Sequence, residues 1–165
     1  MKAVVVYESF WGNTAAVARA IAEGIGHDAQ ALTTDKATAN VIAGVDLIVA
    51  GAPLIGFTLP TEKMREDLAK NPGNPPTPPD VSHPSMRAWL ETLPPRKGRS
   101  AAFETRIWWS PGSAAKSILQ KLEQSGYLPV EKSERFIVTG KYGPLKDGEV
   151  ERARQWGAEL AKLIT

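Results

Sequence analysis

Six consecutive residues, Ser9-Phe10-Trp11-Gly12-Asn13-Thr14, concentrate groups that could bind an anion. They follow a β-branched apolar run, Lys2 to Tyr7, and open a segment in which Val17, Ile21 and Ile25 recur at helical spacing. A helix entered directly from a strand has first-turn N–H groups without intrahelical partners and presents the positive end of its dipole. Ser9 and Thr14 add hydroxyls, and Gly12 allows close approach to the backbone, so the stretch is a candidate phosphate cradle. A hydrogen bond to a charged phosphate contributes about 1.5–3 kcal/mol. The plainer alternative is a turn in which Asn13 or Thr14 only caps the helix.

What surrounds the cradle narrows its ligand. A nucleoside triphosphate loop requires G-x-x-x-x-G-K-[ST], and no lysine lies between Lys2 and Lys36. A dinucleotide fingerprint requires three spaced glycines, and this loop has Gly12 alone. An uncharged cradle suits one terminal phosphomonoester. A metal site is not expected: the chain has no cysteine, and His27 and His83 form no ligand-spaced pair and are expected at the surface.

The elements that must position these residues alternate between two periodicities. Strands are predicted at Lys2–Tyr7, Asp28–Thr33, Val45–Ala50, Arg99–Thr105 and Arg135–Thr139. Helices are predicted after the first loop, over Pro60–Lys70, Ser85–Leu93 and Ser113–Gly126, and along the face formed by Val150, Ala153, Trp156, Leu160 and Ile164. Such alternation implies an α/β domain with a parallel sheet, and 165 residues suit a single domain over 1–165. Residues 71–80 contain five prolines and are expected to form a stiff exposed loop, excluded from a helix interior and a central strand alike.

Charge excludes little but is uneven. Residues 1–60 carry three Lys/Arg and five Asp/Glu, leaving 17 and 13 for the remainder. The basic focus, Arg96, Lys97, Arg99, Arg106, Lys116 and Lys121, has sparse aromatic interleaving and no recognition motif, so a solvated face is expected rather than a nucleic-acid site. No run of about 18 apolar residues is present, and neither membrane insertion nor a signal peptide is expected; the reading is a soluble, cytoplasmic protein.

The strand, the Ser9–Thr14 loop and the following helix resemble the flavodoxin family, whose phosphate loop has the pattern T/S-x-T-G-N-T. The similarity runs over nearly the whole chain, closest to small bacterial flavodoxin-domain proteins. Ala50-Gly51-Ala52-Pro53 with Gly56 resembles the second flavin loop. Phe103-Glu104-Thr105-Arg106, followed by Pro111-Gly112-Ser113, resembles the third. The resemblance implies a flavodoxin-like, doubly wound, three-layer α/β/α fold with a five-stranded parallel sheet in the order 2-1-3-4-5, an order tied to flavodoxin itself. It also implies FMN, held by Ser9, Phe10, Trp11, Gly12, Asn13 and Thr14 at the phosphate and by Gly51, Ala52, Pro53, Gly56, Phe57, Thr105, Arg106, Trp108 and Gly112 around the ring. Two departures stand out. Trp11 replaces a threonine, and the usual acidic-Gly-Tyr pattern of the third loop is missing.

The function that follows is transfer of one or two electrons between redox partners, with the flavin carrying the chemistry and no side chain serving as a catalytic residue. The partner would be a redox protein or a small quinone-like acceptor, and the protein a monomer or weak dimer. Alternatives on the same scaffold are an FMN-dependent oxidoreductase of the quinone reductase or protoporphyrinogen oxidase type, and a binding module that has lost its flavin. Arg106 is expected to favour the reduced, negatively charged cofactor. A receiver domain is excluded because the third strand ends Ala50-Gly51-Ala52 without an aspartate. Nor does any G-x-S-x-G or H-E-x-x-H pattern support a hydrolase.

Overall fold

The computed structural model describes residues 1–165. The chain order is β1 (Ala3–Tyr7), α1 (Asn13–Ile25), β2 (Ala29–Thr33), α2 (Ala39–Ala43), β3 (Leu47–Pro53), α3 (Glu62–Lys70), α4 (Met86–Glu91), β4 (Gly98–Ile107), α5 (Ala115–Gln124), β5 (Tyr127–Pro129), β6 (Glu134–Val138) and α6 (Glu149–Ile164). Apolar residues on both sides of β1, β3 and β4 require cover on both faces, and helices supply it. Side-chain alternation then divides the interior. Val4, Val6, Ile48, Ala50 and Ala102 meet Ile42, Trp89, Leu90, Ile118 and Leu122 on one face. Ala3, Val5, Leu47, Val49 and Phe103 meet Val17, Ile21, Trp156 and Leu160 on the other.

All pairings are parallel and the spatial order is 2-1-3-4-5, with one modification of the predicted five-stranded sheet. The fifth position is shared by two short strands. β5 pairs with Gly98–Ser100 and β6 with Phe103–Ile107, so six strands fill five places. Pro129, which has no N–H to donate, ends the first piece, and the charged Glu131-Lys132 separates it from the second. Only β6 is anticipated by the sequence pattern; β5 and the one-turn α2, capped by the Thr38 hydroxyl, are too short to show a period.

Helices α1 and α6 cross in direct backbone contact. A methyl group on Gly24 would overlap the Arg154 carbonyl, and one on Gly157 would overlap the Ile21 carbonyl. Gly157→Ala is expected to destabilise the protein by about 1–3 kcal/mol through overpacking, despite a helix-propensity gain of about 1 kcal/mol. Gly44→Ala, whose methyl would stand 3.9 Å from the nearest backbone atom, is expected to stay within about 0.5 kcal/mol of the parent. Urea unfolding midpoints of the two variants check the contrast.

Candidate functional site

The parallel register brings three strand ends together. Tyr7 stands beside Gly51, Gly51 beside Phe103, and Pro53 beside Thr105, so the loops after β1, β3 and β4 leave one edge of the sheet as neighbours. Between them lies a cavity of about 370 Å³, within the range that holds small ligands. Ser9, Phe10, Trp11, Asn13 and Thr14 line one end, and Pro53, Leu54, Ile55, Gly56, Thr105, Arg106 and Ile107 line the rest, joined by Ser110, Val138 and Lys141.

The first loop has spare donors. Gly12 takes a left-handed conformation, φ 94°, at the start of α1. The Ser9 hydroxyl oxygen accepts from the N–H groups of Gly12 and Ala15, both at 3.2 Å, which closes the loop on itself and leaves the Ser9 proton free to donate. Thr14 Oγ1 lies 2.8 Å from Thr105 Oγ1, so one hydroxyl proton of that pair is also uncommitted. The N–H groups of Phe10, Trp11, Asn13 and Thr14 make no hydrogen bond within the protein. Unbonded main-chain donors beside a helix N-terminus are the physical requirement for binding phosphate, and this cradle meets it.

Trp11 serves packing in this loop. Its ring packs edge-on against Phe10 and Tyr142, with centroids 5.8 and 4.9 Å apart, and its Nε1 is shielded from solvent without a partner. The indole is therefore packing, not a donor presented to the cavity. The Tyr142 carbonyl accepts from Asn13 Nδ2 at 3.0 Å, so the loop after β6 braces the cradle. That loop supplies Lys141 to the cavity wall, a contribution that no motif in the sequence marks.

The ring-side residues separate into two sets. Pro53, Gly56, Thr105 and Arg106 line the cavity; Gly51, Ala52, Phe57, Trp108 and Gly112 do not. Gly51 and Ala52 are buried within β3, and the missing side chain of Gly51 makes room for the Phe103 ring. Gly56 and Phe57 form a two-residue turn closed by reciprocal bonds between Ile55 and Thr58, with φ 56° and 68°. That conformation is costly for an aromatic residue and leaves Phe57 57 % exposed. Gly112 touches the Phe57 carbonyl, where any side chain would overlap, and so couples the second loop to the third. Trp108 and Trp109 are 72 % and 62 % exposed and flank a shallow cleft with Lys146 instead.

Arg106 does not carry a free charge. It donates to the Glu104 carboxylate at 3.0 Å and to the Gly112 carbonyl at 2.9 Å, and both partners in the ion pair are buried. Glu104 also accepts from the Ser113 hydroxyl at 2.8 Å and the Ala115 N–H at 3.0 Å, satisfying the start of α5. The expected electrostatic support of a reduced cofactor by Arg106 is corrected accordingly: the neighbouring carboxylate cancels most of it.

His83 also corrects the sequence reading. It is 5 % exposed rather than superficial, and its Nε2 accepts from the Ser9 N–H at 3.4 Å. Arg65 donates to the Glu8 carboxylate and to the His83 carbonyl, and its guanidinium stands 5.7 Å from the centre of the Phe10 ring. Burial raises the Glu8 carboxyl above its ordinary range, against the opposing influence of Arg65. Burial likewise pushes the His83 imidazole down, against the nearby Asp80.

No protein-family model matches the sequence, and no curated protein matches it. Solved structures match its fold. A flavodoxin from the domain Archaea superposes with a TM-score of 0.70 at 22 % identity, covering 99 % of each chain. Oxidised flavodoxin 1 from Bacillus cereus gives 0.68 at 20 % identity over 100 % of both chains. The WrbA-like flavodoxin from Agrobacterium tumefaciens gives 0.59 at 18 % identity, over 99 % of this chain and 96 % of that one. The chain has the flavodoxin-like fold.

A depressed imidazole makes stability depend on pH in a defined direction. The unfolded chain takes up a proton at His83 near pH 6.5, and the folded chain resists it, so stability is lost as the pH falls below about 6.5. Wild type is expected to lose more stability than His83→Gln between about pH 7 and about pH 5.5. Glu8 titrates in both proteins and drops out of the comparison. Urea unfolding of the two proteins at both pH values is the check.

Proposed function

We propose that the cavity binds FMN non-covalently and that the protein carries one or two electrons between redox partners. The observation that supports this most is the set of unbonded N–H groups of Phe10, Trp11, Asn13 and Thr14, placed at the end of β1 in the wall of an otherwise largely apolar cavity. Ser9, Asn13, Thr14 and the loop backbone would hold the phosphate. Pro53, Leu54, Ile55, Gly56 and Ile107 would exclude water from the ring, and Phe57 and Trp108, each next in sequence to a lining residue, would flank its exposed edge. Bound flavin supplies the redox chemistry. The protein supplies binding, orientation and the local field.

The electron partner proposed is a redox protein or a small quinone-like acceptor, for which Phe57, exposed next to the cavity-lining Gly56, and Trp108, exposed next to the lining Ile107, offer apolar surface. No helix is long and apolar enough to cross a membrane. The buried Glu104–Arg106 pair sets the local field near neutral, in contrast to a site surrounded by unpaired carboxylates.

Purified protein titrated with FMN should quench flavin fluorescence saturably at one equivalent, and Thr14→Ala should weaken binding about tenfold. No quenching by about 50 μM protein would favour the alternative of an interaction module closed around Trp11. A second measurement concerns the field. Glu104→Gln keeps an oxygen for Ser113 and Ala115 but leaves Arg106 uncompensated, so the midpoint potential of the bound flavin should rise relative to wild type in a redox titration. An unchanged potential would place the pair outside the cofactor's field.

A further inference from the structure

The back of the cradle is held by residues that belong to none of the three strand-end loops. The Asp80 N–H donates to the Phe10 carbonyl at 2.8 Å, and His83 Nε2 accepts from the Ser9 N–H at 3.4 Å. Both come from the end of the Pro-rich connector. Arg65, on α3, joins the same assembly through the Glu8 carboxylate, the His83 carbonyl and, at 3.4 Å, the Val81 carbonyl. Glu8, Ser9, Phe10, Arg65 and His83 are all buried, and the turn itself is fixed by Ser82, whose N–H and hydroxyl donate to Asp80 Oδ1 at 2.9 and 2.6 Å.

The bond from Asp80 has a consequence for the cradle's donors. In an α-helix the N–H of a residue bonds the carbonyl four positions earlier, so an extension of α1 toward its N-terminus would join the Thr14 N–H to the Phe10 carbonyl. The Phe10 carbonyl accepts from the Asp80 N–H instead, and Gly12, at φ 94°, lies outside the helical region, so the helix starts after it. The Thr14 N–H is left without a partner, as the N–H groups of Phe10, Trp11 and Asn13 also are. The Ser9 N–H donates to His83, which does not line the cavity.

We infer that Asp80, His83 and Arg65 are positioning residues for phosphate recognition: the connector binds the rear of the loop and holds its conformation, so that the first-turn donors of helix α1 stay available to the phosphate group. They touch the loop and not the ligand. The inference rests on the FMN reading above and adds to it a further structural contributor, a connector that the sequence pattern marks only as an exposed proline-rich loop. It predicts selectivity between ligands that differ in the phosphate alone.

The test compares FMN with riboflavin, which has the same ring and no phosphate, in wild type, His83→Phe, His83→Gln and Asp80→Pro. His83→Phe removes the acceptor for Ser9, and Asp80→Pro removes the donor to Phe10. Each is expected to weaken FMN about tenfold while changing riboflavin by less than about threefold, and His83→Gln, which retains an acceptor, should recover most of the FMN affinity. Thermal melts identify a variant that does not fold, in which case the other carries the comparison. Equal losses for FMN and riboflavin, or unchanged FMN affinity in a folded variant, would overturn the positioning role while leaving the cofactor reading intact. Failure of wild type to bind FMN would overturn both.

Discussion

The register of the three central strands is the constraint on which the site depends. Parallel pairing sets Tyr7, Gly51 and Phe103 in one row and Pro53 and Thr105 two residues further on, and it is this register that places the Thr105 hydroxyl 2.8 Å from that of Thr14. A slip of one residue would invert every side chain of a strand between the two cores, which are built from different residues. Burial on both faces therefore fixes the register, and the register fixes where the loops begin. The cavity follows from the sheet rather than from the loops alone.

Buried charge beside the cavity is kept in pairs. Glu8 meets Arg65 behind the first loop and Glu104 meets Arg106 beside the third, so each strand end contains a carboxylate neutralised within a few ångströms. An unpaired buried ion would cost several kcal/mol, and pairing removes most of that penalty without adding much net stability. The anion binding proposed for the site would consequently rest on oriented N–H groups and not on net charge. Lys141 is the exception at the wall, and its ammonium lies 5.4 Å from the Tyr142 ring rather than in an ion pair.

Much of this was legible in the residues and some was not. Continuous β-branched runs identified β1, β3 and β6, and the helical faces of α1 and α6 followed from three- and four-residue spacing, except that Val150, in the first turn of α6, is exposed. β5 and α2 escaped because three or five residues have no measurable period. The cradle was legible because strand, polar loop and helix are contiguous. His83 was not: a lone histidine after a proline-rich stretch resembles a surface residue, and its burial comes from tertiary contacts with residues distant in sequence, among them Ser9, 74 positions away, and Arg65. The Arg106–Glu104 pair was adjacent in sequence, two residues apart on one side of a strand, and that spacing could have revealed it.

The proline content of the connector is physically suited to holding a loop from behind. Tyr142 reaches back to the Pro72 carbonyl at 3.4 Å, and a side chain at Gly73 would crowd its hydroxyl, so the segment is anchored near its start by the loop after β6 and at its end by the cradle. A flexible connector of the same length would lose considerable conformational entropy to make two fixed bonds at Ser9 and Phe10. Proline restricts the unfolded chain beforehand, so less freedom is lost when Asp80 and His83 are placed. On the proposed reading, stiffness far from the ligand becomes geometry at the ligand: a rigid strut keeps the Ser9 N–H and the Phe10 carbonyl bonded behind the loop, whereas a mobile one would let the loop sample other conformations.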